Sequence, residues 1–200
     1  MFRLIAFSLI LAAASVINPV NSCAVAHTPE AQVSQRPVQD NARLARLFTD
    51  DQAARNVEAP IDWTLTAAED TTRRQEVRRM LDADEVRSAA DFYHAAFIFQ
   101  HGDQPDDYLL AHALAVTAIE LGHERASWIA AATLDRYLQS IGREQIYGTQ
   151  FQFSADPAEP PSQGDFNTGL VTDAMRAAAR VPPLAEQQRQ VEALRERQSQ

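Results

Sequence analysis

Three apolar-periodic runs in the middle of this sequence each stop at a glycine: Gly102, Gly122 and Gly142. Ser88-Ala89-Ala90-Asp91 has the form of a capping box and opens the first run, which extends to about Gln100. Phe92, Ala95, Ala96 and Phe99 fall on one helical face of it. Asp103-Gln104-Pro105 starts the second, with proline at or near the first helical position, and that run reaches Leu121. The third covers Glu124 to Ile141. A glycine just past a helix supplies the left-handed conformation that ends it. Links of a few residues between helices of this length force antiparallel neighbours. The spacing of Ala111, Leu114, Ala115, Ala118 and Gly122 is tetratricopeptide-like, but the second copy is too degenerate for a repeat array, so it is read as local packing. The expected fold is mainly α: an antiparallel helical-hairpin core.

Outside this core the periodicity changes. Leu44, Leu47 and Phe48 are at helical spacing, and Thr49-Asp50-Asp51-Gln52 resembles a second capping box opening a short helix in which Asp51 and Arg55 pair at i, i+4. Thr66 is the expected N-cap of a helix to Leu81, with Val77, Met80 and Leu81 as its apolar stripe. Ile146 to Phe153 alternates and is rich in aromatic and β-branched residues, which predicts a strand. With Asp165 to Val171 as its return, it gives a small C-terminal β-hairpin near residues 146–171. Thr172 caps a short helix over Asp173–Arg180. A helical domain over 41–184 and a polar C-terminal helix or tail over 185–200 complete the organisation.

Before that domain, Arg3 and the apolar run Leu4 to Ile17 have the form of a secretory leader, too short for a comfortable membrane span. Ala24-Val25-Ala26 offers a cleavage site, giving a signal peptide over 1–26; lipidation at Cys23 is the alternative. A flexible tether over 27–40, with Pro29 and Pro37, follows. The expected location is outside the cytoplasm: periplasmic or extracellular, with membrane attachment only through the leader or a lipid on Cys23. Net charge is −9 at pH 7, which disfavours nucleic acid as a partner. All 18 basic residues are arginine, so chemistry that needs a lysine, such as a Schiff base or a Walker-type phosphate loop, is excluded.

Polar residues on apolar faces are the candidates for function. Trp128, Ala131, Ala132, Asp135 and Leu138 share one face of the third core helix, so Asp135 is expected to point inward. A buried carboxylate is costly unless paired or hydrogen-bonded. Candidate donors are Arg55, Arg73, Arg136, His112 and the amides of Gln145 and Gln150. His112 shares a face with Tyr108, Ala115 and Ile119, and Gln100 and His101 sit at a helix end. A histidine oriented by Asp135 would be a usable general base. Asp91, His94, His101 and His112 offer ligands for zinc, yet no recognised metal motif is present and no metal or cofactor is expected; His94 reads as an exposed helix residue.

The combination Asp51-Gln52-x-x-Arg55, Phe99-Gln100-His101-Gly102, Ala111-His112-x-Leu114-Ala115, Ala131-Ala132-Thr133-Leu134-Asp135-Arg136-Tyr137-Leu138 and Gly142-Arg143-x-Gln145-x-Tyr147-Gly148-Thr149-Gln150 resembles an uncharacterised bacterial family, a domain of unknown function. The resemblance covers about residues 45–190. It implies no activity, substrate or cofactor, but it implies that Gln100, His101, His112, Asp135, Arg136, Gln145 and Gln150 form one constellation, with Arg55 as a further candidate. Three readings stand: a polar pocket at the Gln100/His112/Asp135 junction that binds a ligand or a protein partner, a hydrolase-like enzyme using His101 or His112 with Asp135, and a structural or interaction module whose buried polar network sets the fold. Asp135→Asn separates them in a thermal melt: it destabilises under the network reading, and leaves stability nearly intact while abolishing function under the pocket reading.

Overall fold

The computed structural model describes residues 38–56, 60–154, 156 and 159–198. The expected leader and the tether up to residue 37 lie outside the described residues. These carry seven helices: α1 (Ala42–Ala53), α2 (Trp63–Asp82), α3 (Ala89–Phe99), α4 (Pro105–Glu120), α5 (Ala126–Ser140), α6 (Asp173–Ala178) and α7 (Leu184–Gln198). None of them is long and apolar enough to cross a membrane.

The core forms where the helical runs predict it. α4 packs along both α3 and α5, and α1 and α2 pack on α3. Leu44, Leu47, Val77, Ala95, Ala96, Ile98, Phe99, Ala111, Leu114, Ala115, Ala118, Ile129 and Ala132 are buried together. Small alanines on the facing sides of α3, α4 and α5 let the backbones approach closely. The Ser88/Asp91 capping box is present. The Asp91 carboxylate also accepts from the backbone amides of Asn41, Arg87 and Ser88 at 2.7, 3.1 and 3.1 Å. Asp91 therefore fastens the entry of α1 to the entry of α3, and its acceptor oxygens are taken by structure. Gly122 and Gly142 have φ of +94° and +72°, as their role as helix stops requires.

Two expected helix starts move. α1 runs unbroken through Thr49-Asp50-Asp51-Gln52, capped instead by Asn41, whose side chain accepts from the amides of Arg43 and Leu44. Thr49 Oγ1 donates to the Ala45 carbonyl inside the helix. α2 starts at Trp63 on an Asp62 cap, one turn before Thr66, whose hydroxyl bonds back to Asp62 O. In both cases a threonine hydroxyl found a carbonyl four residues back, which a helix interior supplies as readily as a cap position does.

The segment after α5 departs further from expectation. Among the described residues there is no sheet, only two isolated bridges, Gln145 with Phe166 and Gln152 with Ser162. Glutamine side chains take over the hydrogen bonds a ladder would have made. Gln145 is fully buried; its Nε2 donates to the carbonyls of Gln150 and Gln163, and its Oε1 accepts from Gln150 N. Gln163 Nε2 donates to Gly148 O and to Gln187 Oε1, and Gln187 Nε2 donates to Tyr147 O and Pro182 O. α7 is therefore docked rather than frayed, with Gln187 and Val191 buried.

Gly148 is indispensable to this layer. Its φ is +81°, and a Cβ there would come within 2.0 Å of Gln187 Oε1 and 2.6 Å of the Phe166 ring. Gly148→Ala should lower stability by about 2–3 kcal/mol, read by denaturant unfolding, because it adds left-handed strain to a steric clash. A second prediction concerns His94. It is partly buried, stacked on Phe48 at 4.5 Å between ring centroids, rather than exposed. Burial, with the nearby His123, holds it below its ordinary value near 6.5, against the opposing pull of Asp91 and Asp40. The unfolded chain then takes up the proton first, so this contribution to stability is whole above about pH 6.5 and declines as pH falls toward the depressed folded value. His94→Phe should flatten the drop in melting temperature between about pH 7 and about pH 5.

Candidate functional site

The sequence-predicted residues separate into two clusters and a cavity wall. The first cluster surrounds Asp135, which is completely buried. Its Oδ1 accepts from the backbone amides of Ile146 and Tyr147 at 2.8 and 3.0 Å, and its Oδ2 accepts from the amide and hydroxyl of Thr149 at 3.0 and 2.8 Å. None of the expected donors, Arg55, Arg73, Arg136, His112 or the side chains of Gln145 and Gln150, hydrogen-bonds to it. The expected acid was found, and the segment beyond Gly142 satisfies it, but through main-chain amides that no side-chain inventory can display. Gln150 Nε2 reaches the Ala132 carbonyl and Thr149 Oγ1, tying the same loop to α5. With four donors on two oxygens, Asp135 has no lone pair left for a histidine. Trp128, expected on the same inward face, is 39% exposed.

The second cluster lies where α1, α2 and the α3–α4 turn meet. Asp51, also fully buried, accepts from Gln52 Nε2, pairs with Arg55 at 3.2 Å and faces His101 Nδ1 at 3.0 Å. Arg55 reaches on to Asp70, which also pairs with Arg73 at 2.9 Å; Arg73 in turn holds Glu69. The carbonyls of the α3–α4 turn are capped in the same place. Arg74 donates to His101 O, and Tyr108 donates its hydroxyl to Gly102 O at 2.8 Å. Gly102 permits that turn, since a Cβ would run into Asp107 at 2.2 Å. Acceptor atoms of Asp51, Asp70 and His101 lie within 4.8 Å of one another, a spacing compatible with a cation. The Arg55 guanidinium already bridges both carboxylates, so the positive charge is supplied by the protein itself.

Arg136, one residue beyond Asp135, belongs to this second region. Burial holds its guanidinium below the usual arginine range; Tyr108 works against that shift, and the Arg55 guanidinium adds to it. Its Nε is shut off from solvent with no hydrogen-bond partner, and among the described residues no ion pair engages the group. Arg55 and His101 remain partly accessible, with 20% and 14% of their side chains exposed.

His112 stands apart from both. Its Nδ1 lies 2.9 Å from Ala130 O, and its ring lines a cavity between α4, α5 and α6. No hydrogen bond joins it to Gln100 or Asp135. Gln100 is buried at the C-cap of α3. The expected Gln100/His112/Asp135 junction is thus not one pocket. Asp51, Asp70 and Tyr108 are the members that sequence alone did not place at a site. The i, i+4 spacing of Asp51 and Arg55 predicts their ion pair, which forms, but nothing local shows that it is buried against Asp70 and His101. No protein-family model matches the sequence, and no curated protein or solved structure is significantly similar to it.

In Asp135→Asn an amide NH2 replaces one carboxylate oxygen, so two of the four hydrogen bonds lose their acceptor while the remaining oxygen keeps the other two. Asp135→Asn should therefore cost about 3 kcal/mol, measured by denaturant unfolding, since two buried N–H donors face a donor.

Proposed function

We propose that this chain is an exported ligand-binding protein of the uncharacterised bacterial family it resembles. Its site would be the polar junction of α1, α2, α4, α5 and the α3–α4 turn, and its ligand a small anion carrying a carboxylate or phosphate group. The observation that carries this reading is Arg136. Arg136 is partly buried, with its Nε shut off from water and no counter-charge paired to it; burying part of a guanidinium in this way is costly, and a neighbouring arginine raises that cost. Such an arrangement is sustained where an incoming anion supplies the missing charge, and arginine's fixed fork of donors suits carboxylate and phosphate alike. Arg55 is locked by Asp51 and Asp70, Tyr108 is locked on Gly102 O, and His101 is oriented by Asp51. A site with its side chains held this way is organised before the ligand arrives. The Gln145/Gln150 network and Asp135 position α5, and so Arg136, without touching the ligand.

A second reading rests on the 3.0 Å contact between Asp51 and His101. An acid on Nδ1 leaves Nε2 to take a proton from water, which would make the junction a hydrolase-like site with Asp51, not Asp135, as the orienting group.

Both readings are separated by two variants. Arg136→Met should abolish binding of inorganic phosphate and succinate in titration calorimetry. The same variant should melt at the same temperature or higher, because it removes an uncompensated, partly buried charge. Binding of one anion and not the other identifies the group recognised. Loss of stability in Arg136→Met with anion binding intact would sink the proposal. His101→Gln should keep anion binding, and should lose turnover of an ester substrate only if the second reading holds.

A further inference from the structure

A cavity of about 470 Å³ lies between α4, α5 and α6. Its walls follow from helical spacing. α4 presents His112, Val116 and Ile119, α5 presents Ala130, Ala131 and Leu134, and α6 presents Met175, Ala178 and Ala179, with Tyr147 closing one side. Four of these residues are alanines, whose short side chains would allow the helices to close on each other. They do not close on α6, whose own contacts lie elsewhere. Arg176, buried on the other side of α6, donates to the carbonyls of Val171 and Thr168. Arg180 just beyond α6 bonds to the Glu124 carbonyl and carboxylate, before the start of α5. Arg176 thus fixes α6 on the loop before it, and the exposed Arg180–Glu124 pair ties its far end to the start of α5.

Such a pocket, open toward solvent, leaves its apolar lining without protein contacts on one side. It falls within the range of pockets that hold small molecules, and would take roughly 15–20 non-hydrogen atoms at interior packing density. Among its lining residues there is no carboxylate, guanidinium or ammonium, so nothing compensates a charged ligand. Its polar side chains are Tyr147, Ser127, whose hydroxyl donates to Glu124 O, and His112, the only one of them with a ring nitrogen to accept. A carbonyl can only accept, so the Ala130 contact fixes the proton on Nδ1, and in the neutral ring Nε2 is left as an acceptor.

We propose that this cavity binds a small, uncharged, mainly apolar molecule with one hydrogen-bond donor, which is given to His112 Nε2. The site is separate in its residues from the arginine junction, and its ligand differs in charge, so either can fail without the other.

N-phenyl-1-naphthylamine is a suitable probe: uncharged, built of a naphthyl and a phenyl group, and bearing one N–H. Titrated into the full chain, it should show saturable fluorescence enhancement. Ala131→Phe and Ala179→Phe fill the space from opposite walls, and each should weaken binding at least tenfold (about 1.4 kcal/mol). Both should leave the melting temperature unchanged or raised, as filling a real pocket does. His112→Phe should weaken the amine several-fold yet leave 1-benzylnaphthalene, the same shape without the N–H, unaffected. Absence of saturable binding overturns the proposal, as does equal binding by the filled variants. If His112→Phe weakens both probes equally, the assigned hydrogen bond is wrong. Should either filled variant fail to fold, the other and the paired-probe comparison still decide.

Discussion

The carboxylate of Asp135 is the point on which the C-terminal third of this fold hangs. One side chain gathers four hydrogen bonds from the segment Ile146–Thr149. That segment has no ladder of its own. Without the acid, three main-chain amides would be buried with no acceptor, and each unsatisfied group is expensive. With it, the chain after Gly142 folds back on α5, which sets Gly148 against Gln187 and brings α7 onto the same surface. The glutamine contacts are consequences of this attachment. They fill the hydrogen-bonding needs of an irregular layer that two isolated bridges cannot meet.

Asp135 and Arg136 are adjacent and have opposite fates. A helix turns by about 100° per residue, so consecutive side chains look toward different surroundings. Asp135 meets a row of amides and is fully compensated. Arg136 feels the Arg55 guanidinium as an added repulsion and is not. The contrast is what separates a structural polar group from a functional candidate in this molecule. The first is buried and saturated; the second is partly buried with an unsaturated nitrogen. His101 and Asp51 lie between these extremes, oriented but with one imidazole nitrogen unused. The apolar cavity at His112 repeats the pattern, with one ring nitrogen fixed by a carbonyl and the other without a partner.

The helical core was legible because its signals are local. Apolar spacing, the Ser88/Asp91 box and the glycine stops at Gly122 and Gly142 act within a few residues. Thr49 and Thr66 misled for a related reason: a threonine followed by acid or amide looks the same at a helix start and one turn inside. The alternation from Ile146 to Phe153 also misled. Alternation records which side chains face inward, and an irregular segment laid on a helix can satisfy it as well as a strand can. His94 and Trp128 exchanged their expected exposure because each sits at the edge of an aromatic stack, a contact among three helices.

By itself the sequence determined a mainly helical chain with antiparallel neighbours, an acid driven into the core at Asp135, and a polar segment placed to receive it. Those are consequences of hydrophobic period and of the cost of burying charge, both readable along the chain. Tertiary structure decided which donors Asp135 would take, that His101 would find Asp51, and that Arg136 would be left without a counter-ion. It also decided that α6 would stand off α4 and α5 and leave a cavity. These outcomes depend on distances between residues from 11 to 50 positions apart in sequence, as in the Asp135–Ile146 and Asp51–His101 contacts. Such distances are set by how whole helices pack, and no local pattern encodes them.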